Sequence, residues 1–146
     1  MICRRVLIAI DDSLLGDRAA DVGVELAHAV GAEIALIHVV NPPVSEKSEG
    51  GYDEMSLSEH IIAAQDRGKD LLAETRQRLG LNETVQQFLE WGDPAEHILK
   101  IAGTWSANLI VVGSHGRAGI LHFLFGSVSE AVTRQAICPV LVVPRT

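Results

Sequence analysis

Aromatic side chains are scarce in this chain, at 4% of the residues. A stacking surface for single-stranded nucleic acid is built from such rings, and this supply cannot furnish one. Basic residues are also in deficit: 12 Lys and Arg against 19 Asp and Glu leave a formal charge of −7. A partner gripped through its phosphate backbone needs clustered Lys and Arg, so nucleic acid is excluded. No apolar run approaches the roughly 20 residues that a membrane-spanning helix requires. The N-terminal run Val6-Leu7-Ile8-Ala9-Ile10 is too short for a secretory signal core. A soluble, cytoplasmic protein with no membrane partner is expected.

The usual catalytic templates are missing too. No serine stands in a G-x-S-x-G elbow. The histidines at 28, 38, 60, 97, 115 and 122 contain no HExxH pair, which argues against a zinc site built by the protein. Phosphoryl transfer needs dense charge neutralisation, and only Arg117 is placed in sequence to supply it. Cys3 and Cys138 lack metal-ligand spacing, and each opens an apolar strand. They read as buried small hydrophobes. Two strand spacings, about 9.6 Å, would separate them, against the roughly 7 Å that a disulfide tolerates between Cα atoms; they are expected to stay unlinked.

What is present is a regular alternation. The chain of 146 residues is 47% hydrophobic, and residues 1–146 fit one α/β domain with a sizeable core. Val6–Ile10, Ile34–Val40, Thr84–Trp91, Asn108–Val112 and Pro139–Pro144 read as strands, the third polar enough for a sheet edge. Leu15, Ala19, Val22 and Leu26 mark a first helix that Gly31 stops. Ile61, Ala64, Leu71 or Leu72 and Leu79 mark a second, ending at Gly80, after a low-complexity loop from Pro42 to Glu54. Asp93, Pro94 and Glu96 give the third helix its N-cap, first residue and capping-box partner, with Ala95, Ile98, Leu99 and Ala102 as its buried face. Val128–Ala136 is a short fourth helix. Continuous apolar strands joined by helices predict a five-stranded parallel, Rossmann-like sheet of order 3-2-1-4-5 with helices on both faces.

The most informative segment follows the fourth strand: Gly113-Ser114-His115-Gly116-Arg117, then Gly126-Ser127-Val128 at the mouth of the fourth helix. Glycines after a buried strand and before a helix let backbone N–H groups approach an anion, and the helix N-terminus adds positive potential. A left-handed backbone at Gly126 is one way that approach could be made. The spacing is neither a P-loop nor GxGxxG, since no Lys-Ser/Thr pair follows the last glycine. In an open α/β sheet, ligands sit beyond the strand carboxyl ends where the order reverses. Here that crevice lies between the strands ending at Asp11 and Gly113, so a carboxylate and an anion loop face one another.

These pieces together resemble the universal stress protein family, in its ATP-binding branch. The resemblance runs through Val6 to Ser13, His38-Val39, Gly92-Asp93-Pro94-Ala95, Leu109 to Arg117, Gly126 to Glu130 and Cys138 to Val143. The family's G-x2-G-x9-G-(S/T) signature matches Gly113, Gly116, Gly126 and Ser127. The resemblance implies that these four cradle ribose and phosphates of ATP, with the backbone of Ser114, His115, Arg117 and Val128 beside them. It implies that Asp11 faces the adenosine end or a Mg²⁺ or Mn²⁺ ion on the phosphates, that Ala9 and Ile10 line the pocket, and that the Val39 backbone meets the adenine edge. It further implies a nucleotide-responsive regulator of the stress response, acting through an unidentified protein partner and often homodimeric along strand five. Asp12 departs from the glycine common there and adds a negative charge near the site. A slow ATPase using the same pocket, or an interaction module with a vestigial one, are the alternatives.

Structural roles compete at several of these positions. Ser127 and Glu130 form an S-x-x-E capping box, Asp11 and Asp12 can cap the first helix, and His38 reads as a satisfied core histidine. Ile120 to Phe125 reads as a turn of helix on the core. Strand five, Val140-Leu141-Val142-Val143, is an apolar edge with no helix after it in the sequence, and pairing with a second copy would cover it.

Overall fold

A computed structural model of the chain describes residues 2–12, 14–41, 54–114 and 126–144. Its elements run β1 (Arg5–Ala9), α1 (Leu14–Val30), β2 (Glu33–Val40), α2 (Glu54–Arg78), β3 (Gln86–Trp91), α3 (Pro94–Thr104), β4 (Leu109–Gly113), α4 (Ser127–Gln135) and β5 (Val140–Val143). The five strands pair in parallel in the order β3-β2-β1-β4-β5, as the periodicity predicts. The order reverses between β1 and β4, which pair with Val6 opposite Leu109, Leu7 opposite Ile110 and Ile8 opposite Val111.

Side chains alternate across this sheet and feed two separate cores. Val6, Ile8, Ile10, Leu36 and Val111 pack against α1 and α2. Leu7, Ile37, Ile110 and Val112 pack against α3 and α4. Burial on both faces explains why the central strands read as unbroken apolar runs: Val6, Leu7 and Ile8 are fully enclosed. At the amino end, Asn108 Oδ1 accepts the N–H groups of Arg4 (2.8 Å) and Arg5 (2.9 Å), so this side chain joins β1 to the start of β4.

The helices differ from the sequence pattern in register. On α1 the buried stripe is Ala19, Ala20, Gly23, Val24 and Ala27, while Val22 and Leu26 lie half-buried at its flank. Small residues let the helix axis come close to β1, and the larger ones are turned aside. Leu15 falls among α1 residues whose side chains are not described. Leu72 rather than Leu71 is the buried leucine of α2. In α3 the enclosed set is Ala95, Ile98, Ile101 and Ala102, so Ile101 takes the place expected of Leu99. The cap is as expected: Asp93 Oδ2 accepts the Glu96 N–H at 2.9 Å, with Pro94 opening the helix.

Strand boundaries shift for local reasons. Asn82 Oδ1 accepts the Thr84 N–H and the Asn82 carbonyl accepts that of Val85, a turn that delays β3 to Gln86. Gly113 belongs to β4 rather than to the loop, because it pairs with Val143. Cys3 and Cys138 are free and half-buried, not fully enclosed. Burial pushes the Cys138 thiol above its ordinary range, opposed by a backbone hydrogen bond and assisted by the neighbouring Cys3. Among the described residues no helix is long and apolar enough to cross a membrane.

The turn from β3 into α3 depends on Gly92. Its φ is +135°, and a Cβ there would stand 2.7 Å from His97 Nε2. Its N–H donates to the Val40 carbonyl at 3.0 Å, so the turn cannot move without breaking a bond to β2. Gly92→Ala is expected to cost about 1–3 kcal/mol from backbone strain. Thermal unfolding should register this as a fall of about 2–4 °C for each kcal/mol.

Candidate functional site

The carboxyl ends of β1 and β4 lie side by side where the strand order reverses, and extending their register sets Ile10 level with Gly113. From β1, Ile10 is buried and Asp11, one residue on, is half-buried. From β4, Gly113 is half-buried and Ser114 is enclosed. The Ser114 N–H donates to the Val143 carbonyl at 2.9 Å, so the first residue past β4 is still held by β5.

The Ser114 carbonyl does the opposite job. It accepts the Gly126 N–H and lies 3.2 Å from the Ser129 hydroxyl, which is also 3.0 Å from the Gly126 carbonyl. One buried hydroxyl proton is thus shared between the two ends of the glycine-rich segment, and the N-terminus of α4 is fastened to the carboxyl end of β4. The first bond inside α4 runs from the Glu130 N–H to the Gly126 carbonyl at 3.0 Å. The amides of Ser127, Val128 and Ser129 therefore precede the helix's own acceptors, at its positive end. This arrangement attracts an anion.

Gly126 is the N-cap, at φ −69° and ψ 161°, with no side-chain cap. Two expectations change. The conformation at Gly126 is open to any residue, so glycine is not required there by φ. Ser127 does not cap α4 either: it is the first helical residue, exposed to solvent, and the serine that bonds back is Ser129. A capping serine must precede the helix, and here the helix starts one residue earlier than the S-x-x-E pattern implies.

The remaining expected residues divide by face. Ala9, Val39 and Val128 are partly buried against the α3/α4 core, so the structure places them on one side of the sheet. The Ile10 side chain points into the α1/α2 core and is 5% exposed; its N–H donates to the Ile37 carbonyl and its carbonyl meets His38. Asp12 is exposed. His115, Gly116 and Arg117 lie outside the described residues, as do Ser13, the turn expected at Ile120 to Phe125 and most of the Pro42–Glu54 loop. Among the described residues no group of His, Cys, Asp and Glu is arranged to hold a metal ion without help from a ligand.

Two contributors carry weaker signals in the sequence. Ser129 is recognisable only as a small polar residue in the first turn of a helix. His38 is the one ionisable side chain inside the apolar run Ile34–Val40, and it is satisfied, with Nδ1 3.0 Å from the Ile10 carbonyl.

This geometry has close counterparts. The family model of the universal stress protein family matches residues 3–144. The chain belongs to that family. Universal stress protein YxiE of Bacillus subtilis is 32% identical over 146 residues, covering 95% of this chain and 97% of that protein. Stress response protein NhaX of the same organism is 30% identical, with 95% and 96% covered. Among solved structures, universal stress protein UspA from Lactobacillus plantarum superposes with a TM-score of 0.83 at 22% identity, covering 98% of this chain and 99% of that one. The hypothetical protein MJ0577 gives 0.80 at 27% identity, with 100% and 99% covered. A universal stress protein in complex with cAMP gives 0.67 at 23% identity, with both chains covered in full. This universal stress protein therefore has the family's fold.

The Ser129 hydroxyl is the part of the crevice most easily removed. Ser129→Ala should lower stability by about 0.5–1.5 kcal/mol, the net worth of one buried hydrogen bond. Amide exchange should show the Gly126 N–H opening faster in that variant while the β1 amides keep their rate.

Proposed function

We propose that this universal stress protein binds an adenine nucleotide, ATP with Mg²⁺ or Mn²⁺, in the crevice between β1 and β4, and acts as a nucleotide-responsive regulator. One observation carries the reading: the Ser114 carbonyl and the Ser129 hydroxyl fasten α4 so that its leading amides stand at the end of β4, beside β1, which leads into Asp11. The helix end supplies donors and positive potential for phosphate oxygens. Asp11 supplies the carboxylate that a ribose hydroxyl or a phosphate-bound cation would engage. Gly113, Ser114, Gly126, Ser127 and Val128 then form the phosphate side, completed by His115, Gly116 and Arg117, while Ala9 and the backbones of Ile10 and Val39 form the base side. The solved family member in complex with cAMP supports an adenine nucleotide as the ligand class.

The segment between Gly113 and Gly126 is long enough to wrap more than one phosphate, so ATP should bind more tightly than AMP or cAMP, with the divalent cation assisting. Gly126→Val places branched bulk where the phosphates approach, and its conformation is one that valine adopts. Isothermal calorimetry should show ATP affinity falling by about tenfold or more, roughly 1.4 kcal/mol per decade. AMP as tight as ATP would remove the triphosphate assignment, and an unchanged affinity for the variant would move the phosphates elsewhere.

The same reading includes a homodimer through β5. That strand is an edge of the sheet, with Val140, Leu141 and Val142 only half-buried and Ile137, just before it, 93% exposed. A two-fold axis lets two copies pair antiparallel, within the length that Pro139 and Pro144 allow. Val142→Asp brings like charges together at the axis, and sedimentation at tens of micromolar should show it shifting toward monomer. A wild-type monomer under those conditions would refute the dimer.

A further inference from the structure

The register of β1 with β2 runs from Arg5 opposite Glu33 to Ala9 opposite Ile37, and ends there. One step on, the Ile10 N–H donates to the Ile37 carbonyl at 2.9 Å. Alternate residues of a strand aim their backbone groups to the same side, so Val39, like Ile37, turns its N–H toward β1. A continued ladder would bond that N–H to the Ile10 carbonyl. Instead the pairing stops, and the Ile10 carbonyl has His38 Nδ1 at 3.0 Å. A carbonyl can only accept, so Nδ1 carries a proton and donates it to Ile10. The ring is confined by α2, where a Cβ at Gly68 would stand 3.3 Å from its Cδ2.

We propose that His38 is a positioning residue of the nucleotide crevice, which by taking the Ile10 carbonyl keeps the Val39 N–H out of the β1–β2 ladder. The ligand in this statement rests on the nucleotide reading above; the hydrogen-bond geometry does not. Two consequences follow at the crevice. The Val39 backbone stays directed at the space beyond the last β1–β2 pair, where its N–H and carbonyl match the adjacent acceptor nitrogen and donor amine of adenine. The Ile10–Asp11 peptide is also fixed. Its carbonyl is held toward β2, so in a planar trans unit the Asp11 N–H points toward β4. A backbone donor on Ile10 would secure the same carbonyl, but it would close the gap.

Three variants separate this role from a merely structural one. The amide nitrogen of His38→Asn reaches the place of Nδ1, that of His38→Gln reaches the place of Nε2, and His38→Leu has no donor. Hydrogen exchange by NMR on the ligand-free proteins should show the Val39 amide slowed in the Leu and Gln variants, as it drops onto the vacated Ile10 carbonyl, and unchanged in Asn. Calorimetry with Mg-ATP should show affinity lowered about tenfold in Leu and Gln, the worth of one hydrogen bond, and within about threefold of wild type in Asn. Val39 exchanging at the wild-type rate or faster in the Leu and Gln variants overturns the proposal. So does slowed exchange with ATP affinity unchanged. If His38→Leu does not fold, His38→Gln decides on both readouts. If the wild-type protein binds no ATP, the nucleotide reading falls, while the exchange measurement still decides what His38 does to the ladder.

Discussion

The parallel pairing of β1 with β4 is the constraint on which the rest of this structure depends. Its central residues, Leu7 and Ile8 opposite Ile110 and Val111, are enclosed on both sides. Each strand therefore serves two helix layers through alternating side chains. Because the strand order reverses at this pair, the helices after β1 and β4 leave to opposite faces. In an open α/β sheet such a reversal leaves room for a ligand at the carboxyl edge. Core and crevice have one cause. Asn108 secures the pair at its amino end through the Arg4 and Arg5 amides, and Ser114 secures β4 to α4 at the other.

At the crevice, backbone groups and small side chains do most of the work. A helix end offers unpaired donors only if it is aimed, and the aim of α4 comes from one carbonyl, that of Ser114, met by the Gly126 N–H and the Ser129 hydroxyl. On the other bank, the Ile10 carbonyl is held by a side chain and not by a ladder amide. The two strand ends are thus each fixed by a hydrogen bond at a backbone carbonyl. Both are backbone groups held in place by hydrogen bonds, oriented dipoles of the kind that can stabilise charge without reorganising.

Much of this was legible in the linear order of residues. Unbroken apolar runs of strand length, each followed by a helix signal, require a parallel sheet, because only strands covered on both faces need no polar alternation. The glycine Gly113 and the acidic Asp11 fall at the carboxyl ends of the two strands where the order reverses, as their places in the sequence imply. The helix faces were less legible. Val22, Leu26 and Leu99 carry larger apolar side chains than Gly23, Ala27 and Ala102, yet the smaller ones are enclosed, since periodicity weighs hydrophobicity and the sheet selects for closeness.

The sequence by itself determined the class of fold, the strand order that right-handed crossovers permit, and the end of the sheet at which a ligand would sit. Those follow from local patterns whose periods, 2 and 3.6, are properties of the backbone. Only the tertiary structure decided which serine fastens α4, which carbonyl His38 takes, and that Ile10 turns its side chain away from the crevice. Ser127 and Ser129 are alike as letters, and so are a histidine that fills a core and one that replaces a ladder amide. The difference lies in where β4 ends relative to α4 and where β1 and β2 part, and those are distances between segments far apart in the chain.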